Sequence, residues 1–273
     1  METGPEQPGV PADQLRRARS FGAAAAQYSQ HRPDYADAAI RWCLAPVSDA
    51  RPVRVVDVGA GTGILTGALA RLGADVVAVE PDRAMLAELR RQLPAVRALE
   101  GSAEALPLPD QSADAVLCGQ SMHWFDLDRA LPEIARVLMP GGVLAGLWNV
   151  DDDRVGWVAG LAAISQSGTT LSRWRAIPEA DTEPGSLRAG SRWFAPVEES
   201  EFGHGQPRSA DSLVAAIATY SRILVMDEAE RARTLASIRG FLDRQPETSA
   251  GEFTLPLITV ALRTVRRPQP SRD

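Results

Sequence analysis

Apolar and polar positions fall into regular blocks along the chain. From Arg54 a β-branched run (Val55, Val56, Val58) leads into a glycine turn, a helical stretch through Arg71, and a second run of Val76, Val77 and Val79. The beat continues. Met85, Leu86 and Leu89 mark a helix over Arg83 to Gln92, Val96 to Leu99 and Ala113 to Cys118 are strand-like, Asp128 to Leu138 is helical, and Val143 to Trp148 is a fifth strand. Strands alternating with helices at this spacing predict a parallel sheet with crossover helices. The pair Gly141-Gly142 is expected to turn tightly from helix into strand, since glycine tolerates positive φ.

After Trp148 the rhythm breaks. Val155 to Ser165 is a predicted helix, and Ser167 to Pro196, rich in Gly, Pro, Ser and Arg, is an insertion or flap. Glu198 to Phe202 fits a sheet-edge strand, Ser209 to Tyr220 and Glu228 to Arg244 fit helices, and Phe253 to Val265 fits a long closing strand. One domain over residues 20–265 is expected between tails at 1–19 and 266–273. It divides into an arm (20–50), a core (51–150), an insertion (151–200) and a C-terminal part (201–265).

Composition narrows the function. A length of 273 residues with 45% hydrophobic residues suits one large decorated core, and no apolar run is long enough to span a bilayer. The start of the chain lacks the apolar segment of a secretory signal, so a cytoplasmic location is expected. Cys43 and Cys118 are expected to be free buried thiols. Three scattered histidines and two distant cysteines offer no metal spacing, so no metal is expected. The net charge is −6, every basic residue is arginine, and there is no basic stripe, which excludes nucleic acid as a natural partner.

The chemistry concentrates at Val55-Val56-Asp57-Val58-Gly59-Ala60-Gly61-Thr62-Gly63, a glycine turn between strand and helix, where an open α/β sheet binds its ligand. A dinucleotide fingerprint needs glycine three residues after Gly61. That position is Ile64, and the third glycine comes early, at Gly63. Such a turn suits an amino-acid moiety, its carboxylate at helix N-terminal amides and its ammonium drawn to backbone carbonyls and Asp57. Glu80 closes the second run where an acidic side chain accepts hydrogen bonds from both ribose hydroxyls of a nucleoside lacking a 2′-phosphate.

With these residues in place the chain resembles the class I S-adenosylmethionine-dependent methyltransferases, in particular the methyltransferase type 11 and trans-aconitate methyltransferase-like branch. The likeness covers about half the chain and also rests on Gly101 to Pro109 (Gly-Ser-Ala-Glu-Ala-Leu-Pro-Leu-Pro) and Leu138 to Gly142 (Leu-Met-Pro-Gly-Gly). It implies S-adenosyl-L-methionine as cofactor and a Rossmann-like α/β fold, a seven-stranded mostly parallel sheet with helices on both faces and an insertion after strand five. Its last strand, from Phe253 to Val265, would run antiparallel. It further implies that Ser102, Ala103 and Glu104 line the adenine. Phe21, Tyr28, Arg32-Pro33 and Tyr35 are similar to the arm that closes over the cofactor, with Tyr28 and Arg32 near its methionine end; an amphipathic helix surface is the alternative.

The segment from Gln120 to Phe125 leaves strand four beside the reactive methyl, with Gln120 on the cofactor side. Trp124 is the candidate aromatic face for the sulfonium. His123 is either a proton acceptor or, the favoured alternative, a structural histidine behind the loop. Trp157, Trp174 and Trp193 of the insertion form either part of an acceptor pocket or a packed cap. The expected activity is methyl transfer to a small molecule, with O-, C- or N-methylation open and no membrane partner. The rivals are a non-catalytic binder of the same cofactor and, less favoured, a nicotinamide oxidoreductase, which Ile64 and the absence of lysine oppose.

Overall fold

The computed structural model describes residues 32–48, 51–166, 170–175 and 191–268. Its centre is a seven-stranded sheet of β1 (Arg54–Val58), β2 (Asp75–Glu80), β3 (Arg97–Glu100), β4 (Ala113–Gly119), β5 (Leu138–Asp151), β6 (Glu198–Ser209) and β7 (Glu252–Val265), in the order β3-β2-β1-β4-β5-β7-β6. The first five strands are parallel, and β7 runs antiparallel between β5 and β6. This is the Rossmann-like fold expected from the alternating blocks.

Burial on both faces explains why β1, β4 and β5 are near-continuous apolar runs. Val55, Ala115, Leu117, Val143, Ala145 and Leu147 face helices α1 (Asp37–Leu44) and α2 (Ile64–Arg71). Val56, Val58, Val116, Cys118 and Leu144 face the other way, with Leu131, Ile134 and Ala135 of α4 (Leu127–Val137). Between them α3 (Arg83–Gln92) sets Leu89 against Ala78, and Asp82 caps it by accepting from the backbone N–H groups of Ala84 and Met85. Both cysteines are free and buried. At the amino end of the sheet Asp114 takes bidentate hydrogen bonds from Arg51 and Arg54, which hold its carboxyl well below the usual range.

A second apolar cluster joins α5 (Gly156–Ser165), α7 (Ala210–Ala218), α8 (Ser221–Leu224) and α9 (Glu228–Leu242) to Leu255 and Leu257 of β7. A short helix, α6 (Leu171–Arg175), precedes β6. Trp157, one of the three tryptophans offered as pocket lining, belongs to this cluster: it is 6% exposed and meets Phe253 edge-on at 5.6 Å. It is a core residue because α5 packs against α9 within this cluster.

The turn expected at Gly141-Gly142 is also corrected. The helix ends at Val137 and the strand begins at once with Leu138; the glycine pair sits inside β5 as a bulge, where pairing with β4 jumps from Ala113↔Leu138 to Ala115↔Val143. Gly141 has φ +78, and a Cβ on Gly142 would lie 2.8 Å from the Met139 carbonyl oxygen, so both conditions demand glycine. Among the described residues no helix is long and apolar enough to cross a membrane, and no group of His, Cys, Asp and Glu is placed to hold a metal ion.

Candidate active site

The loop from Gly59 to Gly63 lies where β1 gives way to α2, and all three of its glycines are left-handed, at φ +68, +57 and +92. Each has its own reason. A Cβ on Gly59 would come within 2.6 Å of the Ser121 Cβ, and one on Gly63 within 2.9 Å of Leu89 Cγ, whereas one on Gly61 meets only Met85 Sδ at 3.7 Å. Gly59 and Gly63 therefore permit close packing of protein, and Gly61 borders open space. The Gly59 and Ala60 N–H groups donate to the Val79 carbonyl at 2.9 and 3.2 Å, which pins the loop to the end of β2.

Glu80 ends β2 at the same level and is 5% exposed. Its Oε2 accepts from the Gly61 N–H and its Oε1 from the Asp82 N–H, both at 2.8 Å. Burial raises its pKa, and the Asp82 and Gly61 amides oppose that rise. The carboxylate thus organises two loops, and each oxygen keeps a lone pair for a further donor.

Asp57 points to the α2 side of β1 and is wholly buried. Its Oδ2 accepts from the Thr66 hydroxyl at 2.6 Å, while its buried Oδ1 has no hydrogen-bond partner. Its pKa is pushed up to about 7: burial is the main cause, the Thr66 bond opposes it, and the Glu80 charge adds to it. The folded pKa stands above the unfolded value of about 4. The contribution of Asp57 to stability is therefore full below that value and is lost as pH rises through about 7. Denaturant titrations of the ligand-free protein at a series of pH values should show this loss, and Asp57→Asn should flatten it. An unchanged slope in the variant would assign the titration to another group.

The register carries the remaining candidates to the same edge, since Glu80 pairs with Glu100 and Gly119 with Leu147. After β3, Ser102 bridges to Ala105, Ala103 is buried, and the Glu104 Oε1 accepts from the Asp126 N–H at 3.0 Å. After β4, Gln120 adopts φ +56, a conformation costly for a non-glycine residue. It is held there because its N–H donates to the Leu147 carbonyl at 2.9 Å and its Nε2 to the Asn149 carbonyl at 3.2 Å. A 3₁₀ turn, Met122–Trp124, follows.

The His123 ring lies 4.7 Å from that of Trp124, and the Trp148 indole N–H approaches His123 Nδ1 at 3.5 Å, the outer limit of a hydrogen bond. Trp148 in turn meets Trp174 at 5.2 Å. The His123 residue reaches solvent at the edge of this aromatic row, while its ring contacts Trp124 and Trp148. Desolvation by its neighbours lowers its pKa, so it is neutral at pH 7. Of the tryptophans in the insertion, Trp174 joins this row, while Trp193 packs against the core on the α4 side of the sheet.

Tyr28 and Phe21 lie outside the described residues. Arg32 donates to the Thr219 carbonyl at 3.4 Å with its guanidinium 4.6 Å over the Tyr220 ring. Tyr35 is buried with its hydroxyl against Gly119, where an added Cβ would lie 2.5 Å away. The sequence reading missed Asn149 and Thr259, buried polar residues flanked by apolar neighbours in β5 and β7. Their side chains bond to each other at 2.6 Å and tie down the segment from Pro33 to Ala36.

Comparison with known proteins points to one family. Residues 56–146 match the family model described as a methyltransferase domain. An uncharacterized methyltransferase of Mycobacterium tuberculosis is 38% identical over 246 residues, 89% of this chain and 94% of that protein. One from Schizosaccharomyces pombe is 32% identical over 254 residues, 92% and 98% of the two chains. A malonyl-[acyl-carrier protein] O-methyltransferase of Enterobacter lignolyticus is 37% identical over 139 residues, 50% of this chain and 54% of that one. Among solved structures, a candidate type II methyltransferase from Anaeromyxobacter dehalogenans superposes with TM-score 0.59 at 27% identity, over 87% of this chain and 99% of that one.

Proposed function

The chain belongs to the class I S-adenosylmethionine-dependent methyltransferase family, and from that premise we propose that it binds S-adenosyl-L-methionine and transfers its methyl group to a small-molecule acceptor. The carrying observation is the buried Glu80 carboxylate bonded at 2.8 Å to the N–H of Gly61, whose Cβ direction is open. The donor set fits the cofactor. Asp57 Oδ1 is a buried acceptor lacking a partner, which a ligand ammonium would supply, and Glu80 has lone pairs left for ribose hydroxyls. Ser102, Ala103 and Glu104 are offered for the adenine side and Gln120 for the methyl side, with Arg32 and Tyr28 as closing residues.

When bound, the cofactor would supply an electrophilic methyl carried on a sulfonium, with a neutral thioether as the leaving group. The protein's part is to hold donor and acceptor together and exclude water. Trp124 would serve as an aromatic wall beside the positive charge. His123, neutral at pH 7 beside Trp124, would orient an acceptor by hydrogen bonding.

Fold does not fix function, so binding of the cofactor without methyl transfer is the second reading. Two measurements separate them. Calorimetry should show S-adenosylhomocysteine binding more tightly than NAD, and a metabolite panel incubated with the cofactor should release S-adenosylhomocysteine with at least one acceptor. Tighter binding of NAD would overturn the cofactor assignment, and binding without any release would favour the second reading.

A further inference from the structure

We propose that Asn149 and Thr259 are positioning residues: a two-residue latch that seats the arm segment 32–36 against the candidate active site, with His204 as a third member held in its Nε2–H form. The proposal rests on the cofactor reading above. Each stands between apolar neighbours, Trp148 and Val150 in β5 and Ile258 and Val260 in β7; Thr259 is fully buried and Asn149 is 6% exposed.

Two backbone groups of the arm determine every hydrogen in the cluster. The carbonyl of Asp34, 2.9 Å from the Asn149 side chain, can only accept, so the atom facing it is Nδ2 and the other is Oδ1. Oδ1 lies 2.6 Å from Thr259 Oγ1 and can only accept, so the threonine hydroxyl donates there. The Ala36 N–H donates to the same hydroxyl oxygen at 3.0 Å. Its single proton is then used, and its remaining neighbour, His204 Nε2 at 3.1 Å, must donate. Thr259 thereby has one donation and two acceptances, its whole capacity.

This cluster reaches the site along two routes. The Asn149 carbonyl receives the side chain of Gln120, the left-handed residue that opens the loop bearing His123 and Trp124. The arm it fixes carries Tyr35, whose hydroxyl end lies against Gly119, and Arg32, which reaches Thr219 beyond α7. Arg71 adds exposed ion pairs to Asp34 and Asp37. Those pairs are weak on solvent exposure alone, so the buried polar cluster and the packing of Tyr35 and Ala36 in the core carry most of the restraint on the segment.

The test uses the full chain with Thr259→Val, which keeps shape and removes the hydroxyl, Thr259→Ser, which restores it, and Asn149→Ala. Amide exchange should show the Ala36 N–H protected in wild type, exposed at least tenfold more often in Thr259→Val and Asn149→Ala, and protected again in Thr259→Ser. Nitrogen NMR should show His204 as the Nε2–H tautomer in wild type and a mixture in Thr259→Val. S-adenosylhomocysteine affinity should fall at least tenfold in Thr259→Val and recover in Thr259→Ser. Wild type that binds this ligand, with Thr259→Val binding it equally well, would overturn the latch alone. Wild type that fails to bind it would overturn the cofactor reading and this role for the arm together. A His204 Nδ1–H tautomer in wild type would also overturn the latch.

Discussion

Replacing Glu80 by glutamine should cost as much cofactor affinity as replacing it by alanine, about 1.5–3 kcal/mol or a 10- to 150-fold rise in Kd for S-adenosylhomocysteine. Glutamine is usually the mild substitution, but here both carboxylate oxygens accept from backbone N–H groups, those of Gly61 and Asp82. An amide has one oxygen. Whichever way it turns, its NH₂ faces a backbone donor and leaves that donor unpaired, a loss of about 1–3 kcal/mol in a buried place. The loop at Gly61 must then move, and it is the loop that borders the open space. Alanine instead leaves room for water to bond both amides. Calorimetry on the two variants, with circular dichroism to confirm the fold, decides the matter. Wild-type affinity in Glu80→Gln would place the ribose elsewhere.

The sheet was legible because strands buried on both faces must be largely apolar, and the runs Val55 to Val58 and Ala113 to Cys118 have that pattern, broken only by Asp57 and Asp114. The glycine loop was legible for a related reason: a strand followed by three glycines at this spacing needs left-handed backbone, and Gly59, Gly61 and Gly63 all have it. The bulge at Gly141-Gly142 was not distinguishable from a turn. Both call for positive φ and close backbone approach, and only pairing with Ala113 and Ala115 separates them. Trp157 could not be assigned to the core from its own segment, since its contact with Phe253 joins residues far apart in sequence.

Asn149 and Thr259 had a signal that went unused. A polar side chain inside a doubly buried strand must find a partner, so Trp148-Asn149-Val150 and Ile258-Thr259-Val260 each announced an interaction. What sequence could not supply was that the two are partners 110 positions apart, because that follows from β7 inserting between β5 and β6 with Asn149 opposite Thr259. His123 is a similar case: its position after β4 was foreseen, but its contact with Trp148 comes from the neighbouring strand.

Gly59→Ala and Gly61→Ala should fail in opposite ways although the residues are two apart and share a backbone conformation. Each puts a side chain at positive φ, which costs about 1–2 kcal/mol. At Gly59 the new methyl would stand 2.6 Å from Ser121 Cβ and 2.9 Å from its Oγ, and Ser121 cannot retreat freely because its hydroxyl donates to the Val58 carbonyl at 2.8 Å. Overpacking adds about 1–3 kcal/mol, so Gly59→Ala should lower Tm by roughly 5–15 °C in a domain of this size. At Gly61 the methyl has room, with Met85 Sδ at 3.7 Å its one near neighbour, so Tm should fall by only a few degrees. That methyl nevertheless occupies the open side of the loop, where the cofactor is proposed to lie, and S-adenosylhomocysteine affinity should drop on the order of 100-fold. Thermal melts and calorimetry on both variants give four numbers whose pattern is the test. Equal Tm losses would mean that Ser121 does not brace the loop, and undiminished affinity in Gly61→Ala would move the cofactor away from it.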